Sequence, residues 1–274
     1  MEVKIFNHSL NKCYYTNEIE KGCNELIEKD TPSYFIYYPN YLNKDEEIKL
    51  KHYLDKQNDF LFNYNSMNTK ASRLQKWYHI KNKYFCQNWK YQLPCWESFH
   101  YDKYLIQLQN KIQNTLLNNT LSNPIYYNES IWSIDNTIKT NNDNIFTIND
   151  IFTKYNIPIP NINSCLINKY RDGNDYISPH CDNYHSFGKY PTICGLSIGE
   201  SRIFRVTNVK NNHKQSHGLS KKDKQHLDRN FDFILESGSL FIMAGSSQKY
   251  FSHQIMKSKS THSRYSLTFR ELIN

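Results

Sequence analysis

From Ser164 to residue 274 the chain is a train of short β-prone runs: Ser164 to Tyr170, Thr192 to Ile198, Ser201 to Thr207, Phe231 to Glu236, Ser239 to Met243, Lys249 to Met256 and Arg264 to Arg270. Gly, Ser, Asn and Asp separate them. Short strands with turn residues at regular spacing favour antiparallel sheets wrapped as a sandwich or jelly roll. Upstream, two segments read as helices. Asn43 followed by Glu46 is a capping-box start for a charged segment that runs to Lys56, with Ile48, Leu50 and Leu54 as its apolar positions. From Tyr101 to Leu117, Leu105, Leu108, Ile112 and Leu116 recur at three- and four-residue steps, the stripe of a helix laid on a core.

Ser33 to Tyr38 is aromatic and β-prone, and residues 59–97 are rich in Trp, Tyr, Phe and Lys without a clean period, which predicts strands and loops with exposed aromatics. Residues 118–163 are dominated by Asn, Ile and Thr and lack Gly, so they read as an irregular insertion with one short helix. Val209 to Asn230 reads as a solvated loop rich in Lys and His. The expected organisation is an N-terminal extension over residues 1–97 and a core over 98–274 interrupted at 118–163, mainly β with flanking α.

The 274 residues suffice for one large domain or two small ones, and 15% aromatics exclude disorder for most of the chain despite only 38% hydrophobic residues. Lys and Arg number 34 against 26 Asp and Glu, a balance of 34 − 26 = +8. That suits an anionic partner such as nucleic acid, and equally a uniformly Lys-rich surface produced by AT-rich coding. Seven cysteines with no CxxC pair argue against a disulfide framework or zinc cluster. With no apolar run of signal-peptide or membrane-span length, the expectation is an intracellular, cytoplasmic or nuclear monomer, not secreted and without a membrane partner.

His180 and Asp182 stand two residues apart in Ser178-Pro179-His180-Cys181-Asp182, so on an extended segment they project from one side and can converge on a metal. His253 would complete a set of two His and one carboxylate, the donor pattern of non-haem Fe(II) oxygenases. In a chain with 11 His the pattern by itself also arises by chance. The terminal run adds weight. Arg264, Ser266, Thr268 and Arg270 share one face, and Tyr265, Leu267 and Phe269 the other. Two inward arginines about 20 Å apart could hold the two ends of a short dicarboxylate. Alternatively, this is an edge strand whose arginines face solvent. Asn168 and Tyr170 share a face of their own run and would offer hydrogen bonds to the same cavity.

In order and spacing, Leu166 to Gly173, His180-Cys181-Asp182, Leu196 to Gly199, Ser237 to Leu240, His253 and Arg264 to Arg270 resemble the AlkB family of nucleic-acid dioxygenases. Ser72 to Tyr78 is similar to the Pro- and Arg-rich segment that precedes the barrel in members that repair alkylated DNA or RNA. The resemblance implies a double-stranded β-helix with an N-terminal nucleotide-recognition lid. It also implies Fe(II) at His180, Asp182 and His253, with 2-oxoglutarate and O2 as cosubstrates. Arg264 and Tyr170 would hold the distal carboxylate of 2-oxoglutarate; Arg270 and Asn168 would steady its chelating end, with Thr268 and Ser266 nearby. The implied reaction is oxidative dealkylation of N-alkylated bases in DNA or RNA, releasing formaldehyde and succinate.

A base must be flipped out of a stack to reach such a site. Tyr78, Tyr84 and Phe85 are the aromatic candidates to face it, Trp77 and Asn183 further contacts, and Arg73 a pocket or phosphate contact. Each aromatic is also an ordinary core residue by type. The sequence departs from the family where Asn183-Tyr184-His185 stand in place of the acidic residues usual after the His-x-Asp, and where Ser266 replaces a common Asn. A polar stretch around Asn65-Ser66-Met67 favours single-stranded substrates. Two alternatives stay open: a 2-oxoglutarate-dependent hydroxylase of another substrate such as a protein, and a non-catalytic nucleic-acid-binding protein.

Overall fold

The computed structural model describes residues 4–8, 33–64, 70–81, 83, 97–118, 120–121, 125–127, 146–154, 156–209 and 230–273. In chain order the strands are β1 (Lys4–His8), β2 (Ser33–Tyr38), β3 (Leu61–Tyr64), β4 (Lys70–His79), β5 (Phe99–His100), β6 (Thr120–Leu121), β7 (Ile125–Tyr127) and β8 (Phe146–Thr147). There follow β9 (Ser164–Tyr170), β10 (Ile177–His180), β11 (Ile193–Gly199), β12 (Arg202–Asn208), β13 (Asn230–Leu235), β14 (Leu240–Gly245), β15 (Phe251–Ile255) and β16 (Arg264–Arg270). The helices are α1 (Lys44–Asp55), α2 (Lys103–Asn118), α3 (Ile148–Lys154), α4 (Tyr184–Phe187) and α5 (Ser247–Tyr250). Each β-prone run expected from Ser164 onward is a strand, with ends shifted by at most two residues.

Two sheets face one another. The large one runs β3-β4-β9-β16-β11-β14-β2-β1-β7, with β5 on β4, and the small one runs β10-β15-β12-β13. Between them Phe35, Tyr37, Phe204, Val206, Phe233, Phe241, Phe251 and Ile255 form an aromatic-rich core. A second core lies on the other face of the large sheet. There Tyr265, Leu267 and Phe269 of β16 meet Leu50 and Leu54 of α1 and Leu105, Leu108, Ile112 and Leu116 of α2. Period-2 strands and period-3.6 helices thus bury their apolar faces in one layer. A fully buried Leu or Ile of this kind contributes about 1.5–3 kcal/mol.

Local chemistry starts the helices where the sequence predicts. Asn43 accepts the Glu46 amide through Oδ1 at 2.9 Å while Glu46 Oε2 accepts the Asn43 amide at 3.0 Å, a reciprocal capping box. Asp102 Oδ1 likewise accepts the Leu105 amide ahead of α2.

Strands β2, β3 and β4 hydrogen-bond into the same large sheet as β9, β11, β14 and β16. Their edges are satisfied there instead of in a separate unit. Within residues 118–163, Ile148 and Phe152 of α3, with Ile157 and Ile162, are buried in the helix-side core. The Val209–Asn230 loop and the Asn65–Met67 stretch lie outside the described residues, except for Val209 and Asn230.

Candidate active site

Strand register does most of the positioning. In the antiparallel pair β16 and β9, Arg264 lies opposite Tyr170, Ser266 opposite Asn168, Thr268 opposite Leu166 and Arg270 opposite Ser164. Since β16 is flanked by β9 and β11, it is a central strand and not an edge, so its arginines cannot turn to open solvent. Across the interior, β10 and β15 pair so that His180 lies opposite His253, with a register shift between Ile177 and His180. A cavity of about 550 Å³ opens between these strands. His180, Asp182, His253, Asn168, Tyr170, Arg264, Ser266, Thr268, Arg270, Arg73 and Asn183 all line it.

The donor atoms of His180, Asp182 and His253 lie within 4.8 Å of one another. His180 Nδ1 is 2.9 Å from the Ser178 carbonyl oxygen. A carbonyl only accepts, so Nδ1 carries the proton and Nε2 keeps a lone pair, the state a metal ligand needs. Asp182 has its backbone amide on Gln248 Oε1 at 2.9 Å and its Oδ2 bonded to Arg270 Nη1. The His253 ring stacks on Phe204 at a centroid distance of 5.4 Å, and its Nδ1 is buried without a hydrogen-bond partner among the described residues.

The electrostatics agree. Burial pulls the His253 pKa down to about 3, helped by His180, so the ring is neutral. Loss of hydration lowers His180 as well, against the pull of Asp182. Burial works to raise Asp182, but Arg270 and the two histidines outweigh it and hold the carboxyl below its usual range. Two neutral imidazoles and one ionised carboxylate suit a divalent transition metal. The donor set therefore fits Fe(II).

Arg264 fits an anion by a separate test. It is 1% exposed, its Nη2 bonds Ser197 Oγ at 2.9 Å, and its Nε and Nη1 are buried without a partner among the described residues. Burial pushes its pKa down to about 10. The Tyr170 ring lies 5.2 Å from the guanidinium carbon. A buried cation with two unsatisfied donor edges is costly unless an anion meets it, and a carboxylate matches that fork in charge and geometry.

The remaining expected contacts divide. Asn168 Oδ1 accepts both Arg73 Nε and Gln75 Nε2 at 2.8 Å, and Asn63 Nδ2 bonds Gln75 Oε1 at 3.0 Å. The β3–β4 hairpin is thereby tied to the strand that carries Asn168 and Tyr170. Tyr78 is not brought to the cavity. Successive residues of β4 face opposite sides, and Tyr78 is buried in the helix-side core while Arg73 and Gln75 face the cavity. Trp77 shares their face but packs with Leu166, Phe187 and Leu272 behind the cavity wall. Tyr84 and Phe85 lie outside the described residues. Residues that the sequence reading missed include Gln75, Ser197 and Gln248. Gln75 was within reach of the alternation argument, being two residues from Arg73; the other two are joined to the site only by long-range packing.

A model of the 2OG-Fe(II) oxygenase superfamily matches residues 35–270 of the 274. The chain belongs to the 2OG-Fe(II) oxygenase superfamily. Its cofactor is accordingly Fe(II), with 2-oxoglutarate and O2 as cosubstrates, and the chain is a dioxygenase by family. Curated relatives include the DNA oxidative demethylase ALKBH2 of Arabidopsis thaliana, 32% identical over 123 residues that cover 42% of this chain and 39% of that one. Another is the alpha-ketoglutarate-dependent dioxygenase alkB homolog 3 of Mus musculus, 34% identical over 109 residues, 39% of this chain and 36% of that one. The chain spans well under two thirds of the length of these relatives. The solved structure of OsALKBH1 shares the fold with a TM-score of 0.51 at 12% identity, covering 86% of this chain and 96% of that one. Among the described residues of this oxygenase no helix is long and apolar enough to cross a membrane.

Proposed function

We propose that the protein removes N-alkyl groups from bases of single-stranded DNA or RNA, with Fe(II) and 2-oxoglutarate, releasing formaldehyde and succinate. The observation that carries this reading is one cavity that joins the His180, Asp182 and His253 cluster to the unsatisfied guanidinium of Arg264. The AlkB relatives support the substrate class, and an intracellular monomer goes with it.

His180, Asp182 and His253 would hold the metal. Bound Fe(II) supplies the activation of O2 that couples decarboxylation of 2-oxoglutarate to oxidation of the N-alkyl carbon. Arg264 and Tyr170 anchor the distal carboxylate. Arg270 fixes the rotation of the Asp182 carboxylate, and Gln248 fixes the backbone that carries it. Phe204, Phe241, Met243 and Ile255 wall the interior with apolar surface and exclude water. The β3–β4 hairpin acts as the nucleotide-recognition lid, locked to the barrel through Gln75 and Asn168, and the target nucleotide is extruded beneath it.

The test is a panel of methylated single- and double-stranded oligonucleotides with the purified protein, Fe(II) and 2-oxoglutarate, read by mass. Loss of a methyl group with matched formaldehyde and succinate is expected, and Asp182→Ala abolishes it. Absence of both products from every oligonucleotide overturns the proposal.

A further inference from the structure

The charge of the cavity narrows the substrate beyond its class. N-alkylation at N1 of adenine or N3 of cytosine leaves a base that is cationic at neutral pH, whereas at N3 of uracil or thymine, or on an exocyclic amine, the ring stays neutral. A site for the first kind needs a carboxylate free to face the ring.

None is present among the described residues. Asp182 is the one carboxylate that lines the cavity, and it is already bonded to Arg270 and placed to ligate the metal. Lys70, Arg73, Arg264 and Arg270 line the same cavity. Asp175, which is buried and does not line the cavity, is taken by Arg171, which bonds its Oδ1 at 2.8 Å and its Oδ2 at 2.9 Å. The sequence extends the pattern: residues 60–96 hold six Lys or Arg and no Asp or Glu, and between Asp182 and Glu200 there is no further acid. A divalent metal and a dicarboxylate cancel one another, so the excess positive charge persists in the loaded site.

Arg73 is the cation best placed to act on a base. Its Nε is bound to Asn168 Oδ1, no ion pair holds it among the described residues, and it lines the same cavity as His180. Among the described residues no hydrogen bond engages its two Nη groups, an arrangement that suits a carbonyl oxygen of a neutral base.

We propose that this site selects alkylated bases whose ring is uncharged and carries a carbonyl, and that Arg73 sets that selection. The inference rests on the dealkylase reading above. Two otherwise similar substrates isolate the charge: single-stranded oligonucleotides of one sequence carrying 3-methylcytosine, which is cationic, or 3-methyluracil, which is neutral and methylated at the same ring position. Like charges about 7 Å apart at an effective dielectric near 20 repel enough for discrimination on the order of tenfold or more. The expected result is a kcat/KM at least about tenfold higher for 3-methyluracil, kept in Arg73→Lys and lost or reversed in Arg73→Glu. Succinate formed without nucleic acid is followed in each variant, so that a folding defect is told from a change of preference.

Equal or greater activity on 3-methylcytosine overturns this inference and leaves the dealkylase reading intact. A preference for 3-methyluracil that persists in Arg73→Glu, with cosubstrate turnover retained, overturns the role of Arg73. If neither oligonucleotide, nor any other methylated strand, is demethylated, both readings fall together.

Discussion

Replacing Arg264 with Met separates the cost of a buried charge from its use. The guanidinium is 1% exposed, bonds Ser197 Oγ by its Nη2 and lies against the Tyr170 ring, with Nε and Nη1 unsatisfied among the described residues. Burial lowers its pKa from 12.5 to about 10, a penalty on the charged form of about 3 kcal/mol. The sign is definite. At pH 7 the group is protonated both folded and unfolded, so the penalty is present in full and is relieved only above about pH 10. Met fills a similar volume without the charge, at the loss of one hydrogen bond worth about 1 kcal/mol. The ligand-free Arg264→Met protein should therefore be as stable as the wild type or up to about 2 kcal/mol more stable. Urea unfolding at pH 7, with and without 2-oxoglutarate and a redox-inert divalent metal, reads both terms. Ligand should stabilise the wild type in proportion to its occupancy, and the variant should lose most of that gain, because a charge-assisted carboxylate pair is worth about 2–5 kcal/mol. A variant destabilised by more than about 2 kcal/mol without ligand, yet still stabilised by 2-oxoglutarate, would refute the reasoning.

Two further perturbations test the frame around the site. A Cβ at Gly173 would lie 2.2 Å from the Ser258 carbonyl oxygen, where paired backbone bonds of 2.7 and 2.8 Å hold the 173 and 258–260 segments together. Gly173→Ala should cost about 1–3 kcal/mol in urea unfolding, and an unchanged midpoint would show that the segments can part freely. Burial works to raise the Asp175 pKa, but hydrogen bonds and charge from Arg171 hold it below 3.8, so its contribution is present above about pH 4 and lost as pH falls further. Asp175→Asn should cost about 1–2 kcal/mol at pH 7, discounted because Arg171 is half exposed, and the two proteins should converge in stability as pH falls below the ordinary carboxylate range.

Local signals were legible because their physics is local. The capping box at Asn43 and Glu46 needs only residues three apart, and the strands from Ser164 onward need only alternation between turn residues. His180 and Asp182 were readable together for the same reason. Alternation also sorted Arg264, Ser266, Thr268 and Arg270 from Tyr265, Leu267 and Phe269, and the two sets do face the cavity and the helix-side core. It could not say which face of β4 meets which layer, which is why Tyr78 stood among the base-facing candidates and is instead buried in the helix-side core, its ring against Phe99 and Tyr101. Nor could it show that Asn168 spends its carbonyl on Arg73 and Gln75, contacts that span 95 and 93 residues.

The amino-acid order by itself determined which side chains of a strand or helix travel together, and so which donors and cations could act as a group. Tertiary structure decided what those groups meet. Placing β16 between β9 and β11 turned two arginines that might have faced water into buried cations, one taken by Asp182 and one left for an anion. The register of β10 on β15 brought His253 opposite His180, 73 positions (253 − 180) earlier in the chain. Pairing of that kind depends on the summed free energy of the whole sheet, which no window of sequence contains.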